Sequence, residues 1–346
     1  MSEATATPAD LADLALRLER VKRVFGALEV TSAIPRRKAI VFMDVHAAKA
    51  HLGDAIDEVA AQAAVDALRR IDDLIRRGTL PTLADLPKKP QLDALEACIR
   101  LMRPALLVEA GAVEPDPQLG WTPSQKAAVE AALPAVGSIG FLTSGDPFEK
   151  APRVGVATCF AIGPRAVVTN VHVLADIAKH GRRLDEAVVR FDVELNSGER
   201  HEPVPVKGEL GRCSPLDVVV LETSKDCPFG VLSIREATRV TPLQNVVAIG
   251  HPDKDTRTPA WAQVMFGDNL GVKRVSPGVV LGTEGEIVYH DASTLGGNSG
   301  SPLLDLDTGQ VLAVHSLGSF ADRNEAVGSG AIARDPGLRG RATRWV

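Results

Sequence analysis

From Val136 to the end, the chain breaks into about a dozen short runs rich in Val and Ile, each closed by Gly, Pro, Asp or Asn. Val154 to Ile162, Ala166 to Thr169, Val218 to Glu222, Val246 to Gly250 and Val311 to His315 are examples, and no long helical stretch interrupts the series. Short strands in that number, without helices between them, suit two small antiparallel barrels. This predicts an all-β double-barrel domain over residues 136–346.

The preceding residues have a different texture. Between Pro8 and Val30, Leu11, Leu14, Leu18, Val21 and Leu28 recur near a helical period, with Asp10 and Asp13 early and Lys22 and Arg23 late, as the helix dipole favours. A second helix is predicted from Asp54 to Arg77, stopped by Gly78, and a third from Gln91 to Met102. Lys38 to Val45 fits both a short strand and a helix start. Residues 1–104 therefore read as an α-helical domain for regulation or partner binding. Residues 105–135 read as a hairpin (two short apolar runs around Glu109-Ala110-Gly111) and a linker, in which Thr122 caps a brief helix with Gln125 at its third position. The chain is thus expected to be multi-domain.

Three motifs in the barrel region carry chemistry. Ser299 stands in Leu295-Gly296-Gly297-Asn298-Ser299-Gly300-Ser301-Pro302, a turn opening onto Leu303-Leu304. A serine hydroxyl barely ionises at neutral pH, so a nucleophilic serine needs a base within hydrogen-bond reach and an acid to orient that base. Thr169-Asn170-Val171-His172 offers His172 at the end of a predicted strand, and Leu216-Asp217-Val218-Val219-Val220-Leu221 offers Asp217. Asp185 and Asp192 compete for the acid's place, but Asp185 sits in a charged stretch and Asp192 alternates within a predicted strand. Each motif alone has a plain structural reading: a strand-end histidine, a cap before a buried strand, a tight turn.

Taken together, in the order His, Asp, Ser, these motifs resemble the chymotrypsin-fold serine peptidases, above all their bacterial trypsin-like and glutamyl-endopeptidase branches. The resemblance spans roughly Val136 to Val346. It implies a Ser-His-Asp triad of Ser299, His172 and Asp217 at the seam of the two barrels, and an oxyanion hole of the Gly297 and Ser299 backbone N–H groups. It also implies a substrate edge at Val314-His315-Ser316-Leu317-Gly318, with Thr294 and His315 placed where glutamyl endopeptidases hold an acidic side chain. Ser293, six residues before Ser299, is neutral, which disfavours a preference for basic residues. Asn298 departs from the digestive enzymes, whose Asp at that place pairs with a freshly cut N-terminus.

Composition narrows the setting. Net charge is −5, which argues against a nucleic-acid partner. No apolar run reaches the roughly 20 residues that span a bilayer. The N-terminus shows no basic region followed by an apolar core, so no signal peptide is read. Cys98, Cys159, Cys213 and Cys227 are scattered, and the residue after His172 is Val173, which excludes the disulfide that secreted relatives place beside that histidine. Reduced thiols in the cytoplasm are expected. No metal site is predicted, since His46 and His51 are spaced for different helix faces, and no cofactor is implied. The expected function is a serine endopeptidase acting on polypeptides with an acidic preference before the cut, and a protein partner for the helical domain. The alternative is a catalytically silent peptide-binding scaffold; esterase action would use the same groups.

Overall fold

The computed structural model describes residues 5–26, 57–142, 154–197, 201–253, 265–266, 269–319 and 322–346. The chain divides into two compact units: Met1–Pro104 with Thr258–Met265 and Ser319–Asp322, and the remainder from Ala105 to Val346.

The first unit is built on α1 (Pro8–Phe25), α2 (Glu58–Arg76) and α3 (Lys89–Leu101). Its start is dictated by a capping box: the Thr7 N–H donates to Asp10 Oδ2 at 3.0 Å and the Asp10 N–H to Thr7 Oγ1 at 3.2 Å, with Pro8 at the first helical position. Leu14, Leu18, Val21 and Phe25 of α1 pack with Val65, Leu68 and Ile71 of α2 and with Leu95 and Ile99 of α3. Each such side chain contributes about 1.5–3 kcal/mol on burial. Charge is also buried here. Arg20 Nη2 donates to both Glu96 carboxylate oxygens at 2.8 Å, and Arg100 Nε donates to Glu96 Oε1 at 3.0 Å. Arg100 Nη2 further donates to the carbonyls of Ser319 and Asp322, at 3.1 Å each. Lys38 to Val45, His46 and His51 lie outside the described residues.

The second unit opens with the hairpin β1 (Leu106–Glu109) and β2 (Ala112–Val113), turned by Ala110 and Gly111, both at positive φ as a tight two-residue turn requires. Next comes α4 (Pro123–Ala132), capped by Thr122 and Gln125 as the sequence predicts. Six strands then close the first barrel: β3 (Val136–Phe141), β4 (Val154–Gly163), β5 (Ala166–Thr169), β6 (Val188–Arg190), β7 (Val204–Cys213) and β8 (Val218–Thr223), in the order β3-β4-β5-β8-β7-β6. The second barrel comprises β9 (Asn245–Gly250), β10 (Arg274–Glu284), β11 (Ile287–His290), β12 (Pro302–Asp305), β13 (Val311–Leu317) and β14 (Asn324–Gly328), closed by the pairing of β10 with β11. β1 adds to the second sheet beside β10, with Leu106 opposite Val275. The expected double barrel is therefore formed, and the hairpin extends one of its sheets.

Phe160, Ile162, Val168 and Val220 of the first barrel share one apolar core with Val247, Ile249, Leu304 and Val314 of the second. The buried Lys273 Nζ adds a polar tie, donating to the carbonyls of Leu133 (2.8 Å) and Phe191 (2.9 Å) and to Glu194 Oε1 (2.7 Å). Three short helices escape the sequence reading: α5 (Val171–Lys179), where His172 falls in the first turn instead of at a strand end, and the C-terminal α6 (Ser329–Arg334) and α7 (Pro336–Arg339). Among the described residues no helix is long and apolar enough to cross a membrane.

Candidate active site

Strand pairing brings His172 and Asp217 together. β5 and β8 run antiparallel with Thr169 opposite Val219 and Val168 opposite Val220, so the same register carried past the strand ends sets Asp217 beside the start of α5. The carboxylate is then used twice. Oδ1 accepts the His172 backbone N–H at 3.0 Å, and Oδ2 lies 2.6 Å from His172 Nδ1. Asn170 Nδ2 donates to the Asp217 carbonyl at 2.7 Å, which ties the turn before β8 to the residue that precedes α5. The other ring nitrogen, His172 Nε2, stands 2.8 Å from Ser299 Oγ. Asp185 and Asp192 are engaged elsewhere, by Arg183 and Arg190.

Ser299 sits in a loop of two successive turns, Asn298 N–H to Leu295 O (3.2 Å) and Ser301 N–H to Asn298 O (2.9 Å). Gly297 and Gly300 are at φ +87° and +85°. A Cβ on Gly300 would lie 2.2 Å from the Thr158 carbonyl, and one on Gly297 would lie 2.4 Å from the His251 carbonyl, so only glycine fits at either place. The Gly296 carbonyl accepts the Asp253 N–H at 2.7 Å. Because a trans peptide holds its C=O and N–H on opposite sides, that bond turns the Gly297 N–H the other way. Asn298 stays within its own turn, its Nδ2 donating to Leu295 O at 3.3 Å.

Residues 157–314 match the family model of the trypsin-like peptidase domain. The chain carries a trypsin-like serine peptidase domain. Among solved structures, the active form of the Rv3671c protease from M. tuberculosis is similar at 23% identity and a TM-score of 0.43, with 67% of this chain and 90% of that chain covered. Its inactive form gives 22%, 0.41, 66% and 95%. The Vibrio cholerae VesB protease is similar at 13% identity and a TM-score of 0.43, with 57% and 61% covered.

The other residues singled out in the peptidase domain fall on two neighbouring elements. His315 and Ser316 lie in β13 and Gly318 just beyond it; the Ser316 hydroxyl donates to the Glu325 carbonyl at 3.3 Å. A Cβ built on Gly318 would meet Thr294 Oγ1 at 3.0 Å, so the Thr294 hydroxyl faces that glycine. Thr294 is buried, and its Oγ1 has no hydrogen-bond partner among the described residues. Pairing of β13 with β12 ends at Val314 opposite Pro302, while pairing with β14 continues to Leu317 opposite Glu325.

Two contact residues carry no signal that the sequence reading used. Asn170 is one; its place beside His172 in the sequence implies no role for it. Thr158, on β4, is the other: its N–H donates to Ser299 O (2.9 Å) and its hydroxyl to Gly297 O (2.8 Å). It stands in a continuous buried run from Ala157 to Ile162 and reads as ordinary barrel packing, so nothing marks it. Among the described residues, no group of three or more His, Cys, Asp or Glu side chains is placed to hold a metal ion.

Proposed function

We propose that the protein is a serine endopeptidase in which Ser299 is the nucleophile, His172 the general base and Asp217 the group that orients it. The observation that carries this reading is the continuous relay Asp217–His172–Ser299 at 2.6 and 2.8 Å. Ser299 Oγ attacks the scissile carbonyl as its proton passes to His172 Nε2, and the Asp217 carboxylate stabilises the imidazolium through Nδ1–H. The oxyanion forms against the Gly297 and Ser299 N–H groups; one such donor is worth roughly 3–4 kcal/mol in comparable sites. His172 then returns the proton to the leaving amine, and water, deprotonated by His172, hydrolyses the acyl-enzyme. The outward turn of the Gly296 carbonyl supports a hole that needs no N-terminal ion pair.

The substrate is a polypeptide that adds as a strand along Ser316 to Gly318, on the β13 edge that β12 leaves open. Its acidic side chain before the cut is bound by Thr294 and His315; a buried hydroxyl without a partner supports a ligand there. The helical residues 1–104 serve regulation or targeting through a protein partner, and the exposed Val59, Leu80 and Leu83 supply apolar contact. A serine-directed phosphonate should label Ser299, and an unbiased cleavage profile should be led by Glu or Asp before the cut. Absence of labelling would return the scaffold reading, and a profile led by Arg, Lys or large apolar residues would remove the acidic preference alone.

A cytoplasmic setting is supported by the lack of a disulfide among Cys98, Cys159, Cys213 and Cys227, of which the first three are buried. Burial raises the Cys159 thiol well above its usual range and pushes Cys227 up to about 11. Below that value the thiolate fraction grows about tenfold per pH unit, so alkylation of native Cys227 should be slow at pH 8 and accelerate toward pH 11. Denatured without reductant, the protein should yield four free thiols by mass; a pair that resists alkylation until reduced would overturn the cytoplasmic placement.

A further inference from the structure

Two buried histidines face each other inside the second barrel. His290 closes β11 and His315 lies in β13; β14 runs between them, pairing Asn324 with His290 and Ala326 with His315. Residues 324 and 326 point to the same face of that strand, so the two imidazoles meet over it. His290 Nε2 is 3.1 Å from His315 Nδ1, and the rings are tilted by 73°. His290 is 0% exposed and His315 2%.

A hydrogen bond between two neutral imidazoles needs one donor and one acceptor, and the choice fixes both tautomers. Were His315 to donate from Nδ1, its Nε2 would be a bare lone pair, which repels a carboxylate. With His290 donating from Nε2, His315 instead carries its proton on Nε2, as an N–H donor suited to a carboxylate oxygen. A carboxylate in place of His290 would orient His315 equally well but would add a negative charge beside an acidic ligand. The strand neighbours of His290, Val280 and Asn324, are uncharged. Asp291, the next residue, accepts the Val279 N–H at 2.7 Å.

We propose that His290 is a positioning residue whose Nε2–H donates to His315 Nδ1 and holds His315 in the tautomer protonated on Nε2. This rests on the reading of Thr294 and His315 as the groups that bind an acidic side chain. His290 touches no substrate; it acts through His315.

The test joins two measurements on the full chain. Long-range 1H–15N spectra of the His315 ring report which nitrogen bears the proton. The ratio of kcat/KM for peptides with Glu and with Gln before the cut reports the consequence, and as a ratio it cancels general losses of activity. Wild type and His290→Gln, whose amide donates from about the same distance, should both show the proton on Nε2. His290→Leu should show a mixture of tautomers and lose about tenfold or more of the Glu-over-Gln ratio. Should the leucine variant fail to fold, His290→Asn, too short to reach, takes its place with the same expectation. A wild-type proton on Nδ1 of His315, an unchanged tautomer and ratio in the leucine or asparagine variant, or a glutamine variant that falls as far as leucine would each overturn the proposal. A wild-type enzyme without Glu-over-Gln preference removes the acid-binding reading, while the tautomer measurement still decides the role of His290.

Discussion

Ser299→Ala should lower peptide turnover roughly a millionfold, and His172→Ala by a similar factor, because the proposed nucleophile and base act as one unit across 2.8 Å. The double variant should fall little further, since either loss alone already disables the proton transfer. Asp217→Asn should cost about ten-thousandfold by favouring the wrong imidazole tautomer. It also alters one of two bonds, as Asp217 Oδ1 accepts the His172 N–H as well, so a small stability loss accompanies the kinetic one. Folding should be near wild type for Ser299→Ala, whose hydroxyl has His172 Nε2 as its hydrogen-bond partner among the described residues. The measurement is hydrolysis of a peptide, with enzyme concentration fixed by phosphonate titration of wild type. Substantial turnover by Ser299→Ala, or single losses that multiply in the double variant, would end the assignment.

The second large effect is on stability. Glu96 is 1% exposed between Arg20 and Arg100, and replacing it by alanine leaves Arg20 buried beside a second cation. Breaking a buried ion network in this way costs about 3–5 kcal/mol, against about 0–1 for an exposed pair. Arg20→Met should cost less, because Arg100 still faces Glu96 at 3.0 Å and the methionine fills the space. Denaturant unfolding of the helical unit should therefore rank wild type, Arg20→Met, Glu96→Ala in falling order. Equal midpoints for wild type and Glu96→Ala would show that the triad is not buried as described.

Legibility followed how local each determinant is. Val218 to Thr223 could be read as a strand because nearly every residue is buried on both faces, and its apolar run ends at turn residues. The hairpin was legible because Ala110-Gly111 sits between two short apolar runs. Helix α5 was not. Its buried residues Val173 and Ile177 are four apart, but β-branched neighbours immediately after a strand mask that period. At the site, His172, Asp217 and Ser299 stood out through their motifs, whereas Thr158 and His290 matter only through strands remote in sequence. His290 lay within the stretch before Ser299, yet its partner is defined by β14 passing between β11 and β13, a pairing that no spacing announces.

Thr158 shows what the two-barrel seam demands of motion. Its amide and hydroxyl grip the carbonyls of Ser299 and Gly297, its own carbonyl accepts the Thr169 hydroxyl at 2.8 Å, and its hydroxyl also accepts the His251 N–H at 2.9 Å. The Thr169 bond lies within the first barrel; a fluctuation that parts the barrels must break the other three together and pull Ser299 away from His172, even while each barrel stays intact. With Ser299 and His172 as the proposed catalytic pair, competence is therefore an all-or-none property of the closed seam. Amide exchange at Thr158 samples the same opening that silences the enzyme, and the free energy of that opening sets the ceiling on its active fraction.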